Sequence, residues 1–355
     1  MDVESAVRER YTEGALQPQP ALCCPVSYDP RYLEAIPAEI IEKDYGCGDP
    51  SRHLRPGDTV LDLGCGGGKV CYIASQVVGR QGRVIGVDLN DEMLALARRH
   101  LREVGERIGY HNVEFRKARI QDLRLDLEAN RPLVEDASID VVVSNCVLNL
   151  VRPEDKQEMF REIFRVLRMG GRAAISDIVA DEPVPDRLKQ DAELWTGCVS
   201  GALTETEFLR AFEEAGFHGI AVESWEPAPF AVVEGIEFRS VTVTAHKGKQ
   251  GPCWERNQAV IYKGPWSEVT DDDHHVFRRG ERVAVCEKTF NLLKNGPYRD
   301  ALVFIEPNDG VEAGPPVPFD CSRSVTRDPR ETKGSDHSAP RSDGTTACEP
   351  GGGCC

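Results

Sequence analysis

Cysteine is the residue type whose number and placement most invite chemistry in this chain, with 13 among 355 residues. A thiolate can act as a nucleophile, a redox partner or a soft ligand. Cys146 follows the apolar run Ile139 to Ser144, a predicted strand, and so stands at a strand's C-terminal end, where open α/β sheets bind ligands. Cys198 lies in the glycine-flanked loop Trp195-Thr-Gly-Cys-Val-Ser-Gly after the next strand, and Cys47 in Tyr45-Gly-Cys-Gly before the first. A free cysteine is also commonly a small buried hydrophobe, so position alone leaves each of the three open. Cys71 reads as core, and Cys253, Cys286 and Cys321 as structural or incidental. No CxxC…CxxC zinc pattern is present; Cys23-Cys24 and Cys354-Cys355 are adjacent pairs. Asp271-Asp-Asp-His-His reads as a solvated loop.

A second constellation surrounds a glycine-rich turn. Thr59-Val-Leu-Asp-Leu-Gly leads into Cys65-Gly-Gly-Gly and a helix-like stretch from Val70 to Val78. Gly64, Gly66, Gly67 and Gly68 let the backbone approach a ligand after the first strand, and Asp88, ending a second strand Arg83 to Asp88, suits two ribose hydroxyls. The G-x-G-G-G spacing lacks the glycine placement that a dinucleotide's pyrophosphate requires in G-x-G-x-x-G.

The elements that must position these residues alternate. Predicted strands at Val113 to Phe115, Ile139 to Ser144 and Arg172 to Asp177 are separated by helical patterns, among them Phe160, Ile163, Phe164 and Leu167 ahead of Gly170-Gly171. Asn90 suits a helix N-cap, and Thr204-Glu-Thr-Glu a capping box on a helix that closes at Gly216. Strands near Ile220 to Ser224 and Phe238 to Ala245 would finish a doubly wound, mostly parallel sheet. The implied organisation is an N-terminal segment (1–50), the sheet domain (51–247), a small β-rich unit (248–307) and a disordered tail (308–355), the last rich in Pro, Gly, Ser and Asp. Net charge is −16, which argues against nucleic acid, since phosphate binding needs a basic surface. No apolar run is long enough to cross a bilayer, and the start lacks a signal peptide's apolar core, so a cytoplasmic protein is expected.

The motifs Asp44-Tyr-Gly-Cys-Gly, Asp62-Leu-Gly-Cys-Gly, Ser144-Asn-Cys-Val-Leu-Asn-Leu-Val, Leu167-Arg-Met-Gly-Gly, Ser176-Asp and Gly197-Cys-Val-Ser-Gly-Ala-Leu, with the ending Gly-Gly-Cys-Cys, resemble the arsenite methyltransferase family. The glycine loop is similar to motif I of class I methyltransferases. The resemblance implies a Rossmann-like fold with S-adenosylmethionine as cofactor. It places Tyr45, Asp62, Gly64, Cys65, Gly66 and Asn145 against the cofactor, with the glycine loop on its methionine part, Asp88 on the ribose, Leu89 along adenine and Ile120 and Gln121 flanking the ring. It further implies that Cys146 and Cys198 hold As(III), that Cys47 supplies a third thiolate, and that Cys24, or alternatively Cys23, pairs with Cys47 in a disulfide during turnover. Expected partners are arsenite or its thiol conjugates and a thiol reductant such as thioredoxin or glutathione, with the chain a monomer. Cys354-Cys355 suit either an arsenite-delivering arm or a solvated tail without essential role. This chain departs from the family at Cys65, where serine is usual, at Val70, where an acid is usual, and in a shorter spacing from Cys24 to Cys47. Two other functions use parts of the same features. A class I methyltransferase of a small organic metabolite would share the cofactor loop but not need the three cysteines, and a non-catalytic arsenic-binding protein would leave the glycine loop and Asp88 without purpose.

Overall fold

Runs of β-branched residues punctuated by glycine set the frame of the structure, a computed structural model that describes residues 2–19, 26–308, 311, 317–321, 325–334 and 337. The chain divides into two compact units between Lys249 and Gln250. The first opens on helix α1 (Val3–Leu16) and holds strands β1 (Thr59–Leu63), β2 (Arg83–Asp88), β3 (Val113–Lys117), β4 (Ile139–Asn145), β5 (Leu167–Ala180), β6 (His218–Trp225) and β7 (Ile236–His246). Their order is β3-β2-β1-β4-β5-β7-β6. All pairings from β3 to β5 are parallel, and β7 runs antiparallel to both β5 and β6. The chain leaves β1 toward β2 on one side and returns to β4 on the other, so a crevice opens at the C-terminal ends of β1 and β4.

Strand alternation decides what covers each face. Val60, Val84, Val141 and Val143 pack against α2 (Lys69–Val78), α3 (Asp91–Arg99) and α4 (Leu101–Ile108). Leu61, Leu63, Ile85, Val87, Val142 and Ile175 face α5 (Pro153–Val166) and α6 (Glu205–Ala215). The α3 cap is Asn90, whose Oδ1 accepts from the Glu92 and Met93 amides, and Thr204 with Glu207 forms a complete capping box on α6.

The elements differ from the sequence reading in three places. Leu167, placed in the helix by its spacing, begins β5, because Gly170 at φ +78° and the Gly170–Lys247 and Lys247–Gly171 backbone bonds carry the strand through the glycines. Helix α1, whose charged and tyrosine-bearing sequence shows no clean apolar stripe, stands where the sequence reading named no element, within the first unit. The stretch beyond Asn308, expected to be disordered, enters the structure in part.

The second unit is a four-stranded antiparallel sheet in the order Leu302–Ile305, Ala259–Tyr262, Arg282–Ala284, Val325–Thr326, packed on α7 (Glu287–Asn295). Buried Arg327 ties the late segment down, bonding Glu255 at 2.7 Å, Glu331 at 2.5 Å and the Gln258 carbonyl at 3.3 Å. Residues 338–355, with Cys354-Cys355, lie outside the described residues, as do Cys23 and Cys24.

Phe212 is fully buried, with edge contacts to Phe160 at 4.9 Å, Phe208 at 5.4 Å and Phe217 at 5.7 Å between ring centroids. Phe212→Ala should lower unfolding stability by about 3 to 5 kcal/mol in urea titration; a loss near zero would mean that α6 is not packed on this face.

Candidate active site

The crevice at the end of β1 and β4 is lined by every residue that the sequence assigns to the cofactor: Tyr45, Asp62, Gly64, Cys65, Gly66, Asp88, Leu89, Ile120, Gln121 and Asn145. Gly64 takes φ +66°, and a Cβ there would meet the Val147 side chain at 2.4 Å, so the turn out of β1 requires glycine. Asp88 fastens the loop. Its Oδ2 accepts from the Gly66 amide at 2.9 Å and its Oδ1 from the Asn90 amide at 2.8 Å, while burial raises its carboxyl above the ordinary value. With Met93, Val70, Leu89 and Ile120 as apolar walls, the lining suits an adenosine: an acid for a diol, apolar surface for a purine and open backbone beside it.

Several of these side chains do structural work as well. The Asn145 carboxamide clamps the Cys47 loop, its Oδ1 accepting from the Cys47 and Gly48 amides at 2.8 and 3.1 Å and its Nδ2 donating to the Gly48 carbonyl and Tyr28 hydroxyl at 2.7 and 2.9 Å. The Tyr45 hydroxyl donates to the Gly14 carbonyl at 2.9 Å, and its ring meets Tyr11 edge-on at 6.1 Å. Cys65 is no reactive thiol, since burial pushes it up to about 11. Cys71 is fully buried core, donating to Asp62 Oδ2 at 3.1 Å. Helix α1, unassigned by the sequence, supplies Val3, Val7, Arg8 and Tyr11 to the crevice wall. It is held by Glu4–Arg119 at 2.8 Å and by Asn90 Nδ2 donating to the Arg8 carbonyl at 2.9 Å.

Cys146 shares this crevice. Its backbone is left-handed, φ +60°, as is that of Cys198, φ +62°, a conformation that a side chain with a Cβ adopts at a cost. Cys198 Sγ donates to the Cys146 carbonyl at 3.0 Å. Both sulfurs and an Asp177 carboxylate oxygen lie mutually within 4.8 Å, all three residues buried. Asp177 accepts from the Leu148 and Ile178 amides at 2.8 Å each; burial lifts it to about 6, against those bonds and the Lys156 charge. Lys156, itself lowered to about 8 by burial and bonded to the Leu148 carbonyl at 2.8 Å, is its cationic neighbour. The Tyr11 hydroxyl stands 4.0 Å from Cys198 Sγ.

Cys47 packs in the same apolar cluster as Cys146 and Cys198 but does not belong to the close group. Its amide is held by Asn145 and its carbonyl accepts from Ser240 Oγ at 2.6 Å. Cys47, Cys146 and Cys198 are thiols and not disulfides. Asp177, Lys156 and Tyr11 were missed as site residues. Only Asp177 had a usable signal, an acid inside the apolar run Ala173 to Ala180.

The sheet order, with its antiparallel β7, and the glycine-loop crevice define an S-adenosylmethionine-dependent methyltransferase of class I. Residues 54–216 match the methyltransferase-domain family model, and residues 249–337 match a domain family of unknown function, DUF8838. The arsenite methyltransferase of Aquipseudomonas alcaligenes is 36% identical over 80% of this chain and 84% of its own length, and that of Mus musculus 33% identical over 93% and 88%. The crystal structure of CrArsM, an arsenic (III) S-adenosylmethionine methyltransferase from Chlamydomonas reinhardtii, is 28% identical with a TM-score of 0.58, covering 86% of this chain and 100% of that one. The chain belongs to the arsenite methyltransferase family.

Two predictions follow from this geometry. Cys146→Gly should be more stable than Cys146→Ala by about 1 kcal/mol, because only glycine relieves the left-handed backbone; equal urea midpoints would mean that the turn is unstrained. Asp62 is raised from its ordinary 3.8 to about 7 by burial. Its stability contribution is therefore present below pH 4 and lost as pH rises to 7. Relative to Asp62→Asn, the unmutated chain should lose urea resistance across that window, and parallel pH curves would contradict the assignment.

Proposed function

We propose that this chain methylates trivalent arsenic, with arsenite held by the thiolates of Cys146, Cys198 and Cys47. The observation that carries the proposal is the pair of buried cysteines in left-handed turns, one of them in the wall of the cofactor crevice. Backbone strain of this kind concentrates at functional sites, and an organic acceptor would need neither sulfur.

Thiolates are the matching soft donors for As(III) and select against hard cations. Each As–S bond forms as a thiol proton leaves with an arsenite hydroxide as water, so arsenic stays trivalent on binding. Asp177, held near pH 6 within reach of both sulfurs, can take the proton from a thiol and return it to the departing hydroxide. Cys47 completes the set by moving its side chain toward the pair, while Asn145 keeps its backbone at the rim. Three sulfur ligands leave the arsenic lone pair free to face the crevice. S-adenosylmethionine supplies an electrophilic sulfonium methyl there. Asp88, Asp62, Ile120 and Gln121 fix the position of its carrier, and the protein's contribution to rate is alignment. Helix α1 closes the crevice against water through Tyr11 and Val7.

Methylation oxidises arsenic formally by two electrons. A thiol pair that closes to a disulfide returns them, and Cys47 with Cys24 is our candidate, Cys23 the alternative; an external thiol reductant such as thioredoxin or glutathione then reopens the disulfide. No helix among the described residues is long and apolar enough to cross a membrane, and we place the protein in the cytoplasm as a monomer.

The test is transfer of labelled methyl from S-adenosylmethionine to arsenite with thiol reductant present, the arsenic products separated by chromatography. Cys146→Ser and Cys198→Ser should each lower the rate by about 100-fold or more, and Asp88→Ala should weaken cofactor binding by about 10-fold or more. Cofactor binding with no arsenic product would favour an organic acceptor, and arsenite binding with no cofactor affinity a sequestering protein.

A further inference from the structure

The second unit contains a cluster that the activity above does not use. Cys253, Cys286 and Cys321 come from three distant segments, yet their sulfurs all lie within 4.8 Å of one another. None is in a disulfide.

Each is placed by a specific element. Cys253 precedes Trp254–Glu255, which pairs antiparallel with Val317–Pro318, and the Phe319 amide donates to the Cys253 carbonyl at 2.9 Å. This two-stranded ribbon carries Cys321 to the same end as Cys253. Cys286 is the N-cap of α7, fully buried, its Sγ accepting from the Thr289 amide at 3.3 Å and donating to Thr289 Oγ1 at 3.2 Å. Cys253 and Cys321 are half-buried, so the cluster has one protected sulfur and two within reach of solvent.

We propose that Cys253, Cys286 and Cys321 form a second trithiolate site, which binds trivalent arsenic in addition to the arsenic held for methylation. The donor set selects the ligand. Three soft sulfurs reject hard cations, and among the described residues no histidine or carboxylate joins the group to complete the four ligands of a structural zinc site. A pyramidal ion with a lone pair in the fourth position needs only three. Binding exchanges three S–H bonds for three As–S bonds and releases three waters from arsenous acid; arsenic remains trivalent and no electrons move. The choice of arsenic among soft ions rests on the activity proposed above, whereas the site itself rests on the geometry of this unit.

The experiment uses the full-length chain with serine at Cys23, Cys24, Cys146, Cys198, Cys348, Cys354 and Cys355, kept reduced by a phosphine. Arsenite is added, excess is removed, and bound arsenic and zinc are counted by mass spectrometry, with X-ray absorption at the arsenic edge for the ligands. One arsenic per chain in an all-sulfur, three-coordinate shell is expected. Cys253→Ser and Cys321→Ser should each weaken binding by at least about 10-fold, since even a group outside a metal's coordination shell is worth that much. Thermal melting of these half-exposed variants separates lost ligation from lost folding, which Cys286→Ser alone would not.

Absence of arsenic from the intact cluster would overturn the proposal, as would zinc bound in stoichiometric amount and not displaced by arsenite. So would arsenic uptake equal in the intact cluster and the two serine variants. The methylation reading is scored separately on the unmutated chain. Methylated arsenic there, with no arsenic in the cluster, defeats this inference alone; arsenic in the cluster with no methylated product defeats the activity alone.

Discussion

The structure depends on how the chain leaves β4. Within a few residues, Ser144 Oγ donates to the Leu63 carbonyl at the end of β1, the Asn145 carboxamide clamps the loop carrying Cys47, Cys146 turns left-handed and receives the Cys198 thiol on its carbonyl, and Val147 fills the space beside Gly64. The Leu148 amide then bonds Asp177 on β5. One strand end thus ties the cofactor loop, Cys47, Cys146, Cys198 and Asp177 into a single arrangement. A parallel sheet provides this because its switch point brings the ends of β1 and β4 side by side.

The same turn explains why Cys146 and Cys198 are held and not merely present. Two left-handed cysteines oppose folding by about 1 to 2 kcal/mol each, and the surrounding bonds over-determine them: the Cys146 amide donates to the Ser176 carbonyl at 2.8 Å, and the Cys198 amide to the Trp195 carbonyl at 3.0 Å. Desolvation shifts buried Asp177 upward and buried Lys156 downward. Soft ligand, movable proton and aligned lone pair are what arsenic methylation requires of a protein.

Much of this was legible in the sequence because the residues were local to motifs. Gly64, Asp88 and Cys146 each stand at a strand end that periodicity and glycine placement mark, and β2 matches its predicted bounds of Arg83 to Asp88. Long-range partners were not legible. Helix α1 becomes crevice wall through contacts across the fold such as Glu4–Arg119 and Asn90–Arg8, and its own composition gives no apolar stripe. Cys253, Cys286 and Cys321 lack any zinc-like spacing, so only the ribbon and the cap of α7 reveal them as a group. The role of Asn145 was also only half visible: it lines the crevice, but its hydrogen bonds go to the Cys47 loop.

The central claim is that arsenic is held between Cys146 and Cys198 with Cys47 as the third ligand. An anomalous difference map at the arsenic edge, from crystals of the full-length protein soaked in arsenite, tests it most directly. The account predicts a peak bonded to both Cys146 and Cys198 sulfurs with the Cys47 side chain turned inward to meet it. A map with arsenic elsewhere on the chain and none at this pair would contradict it.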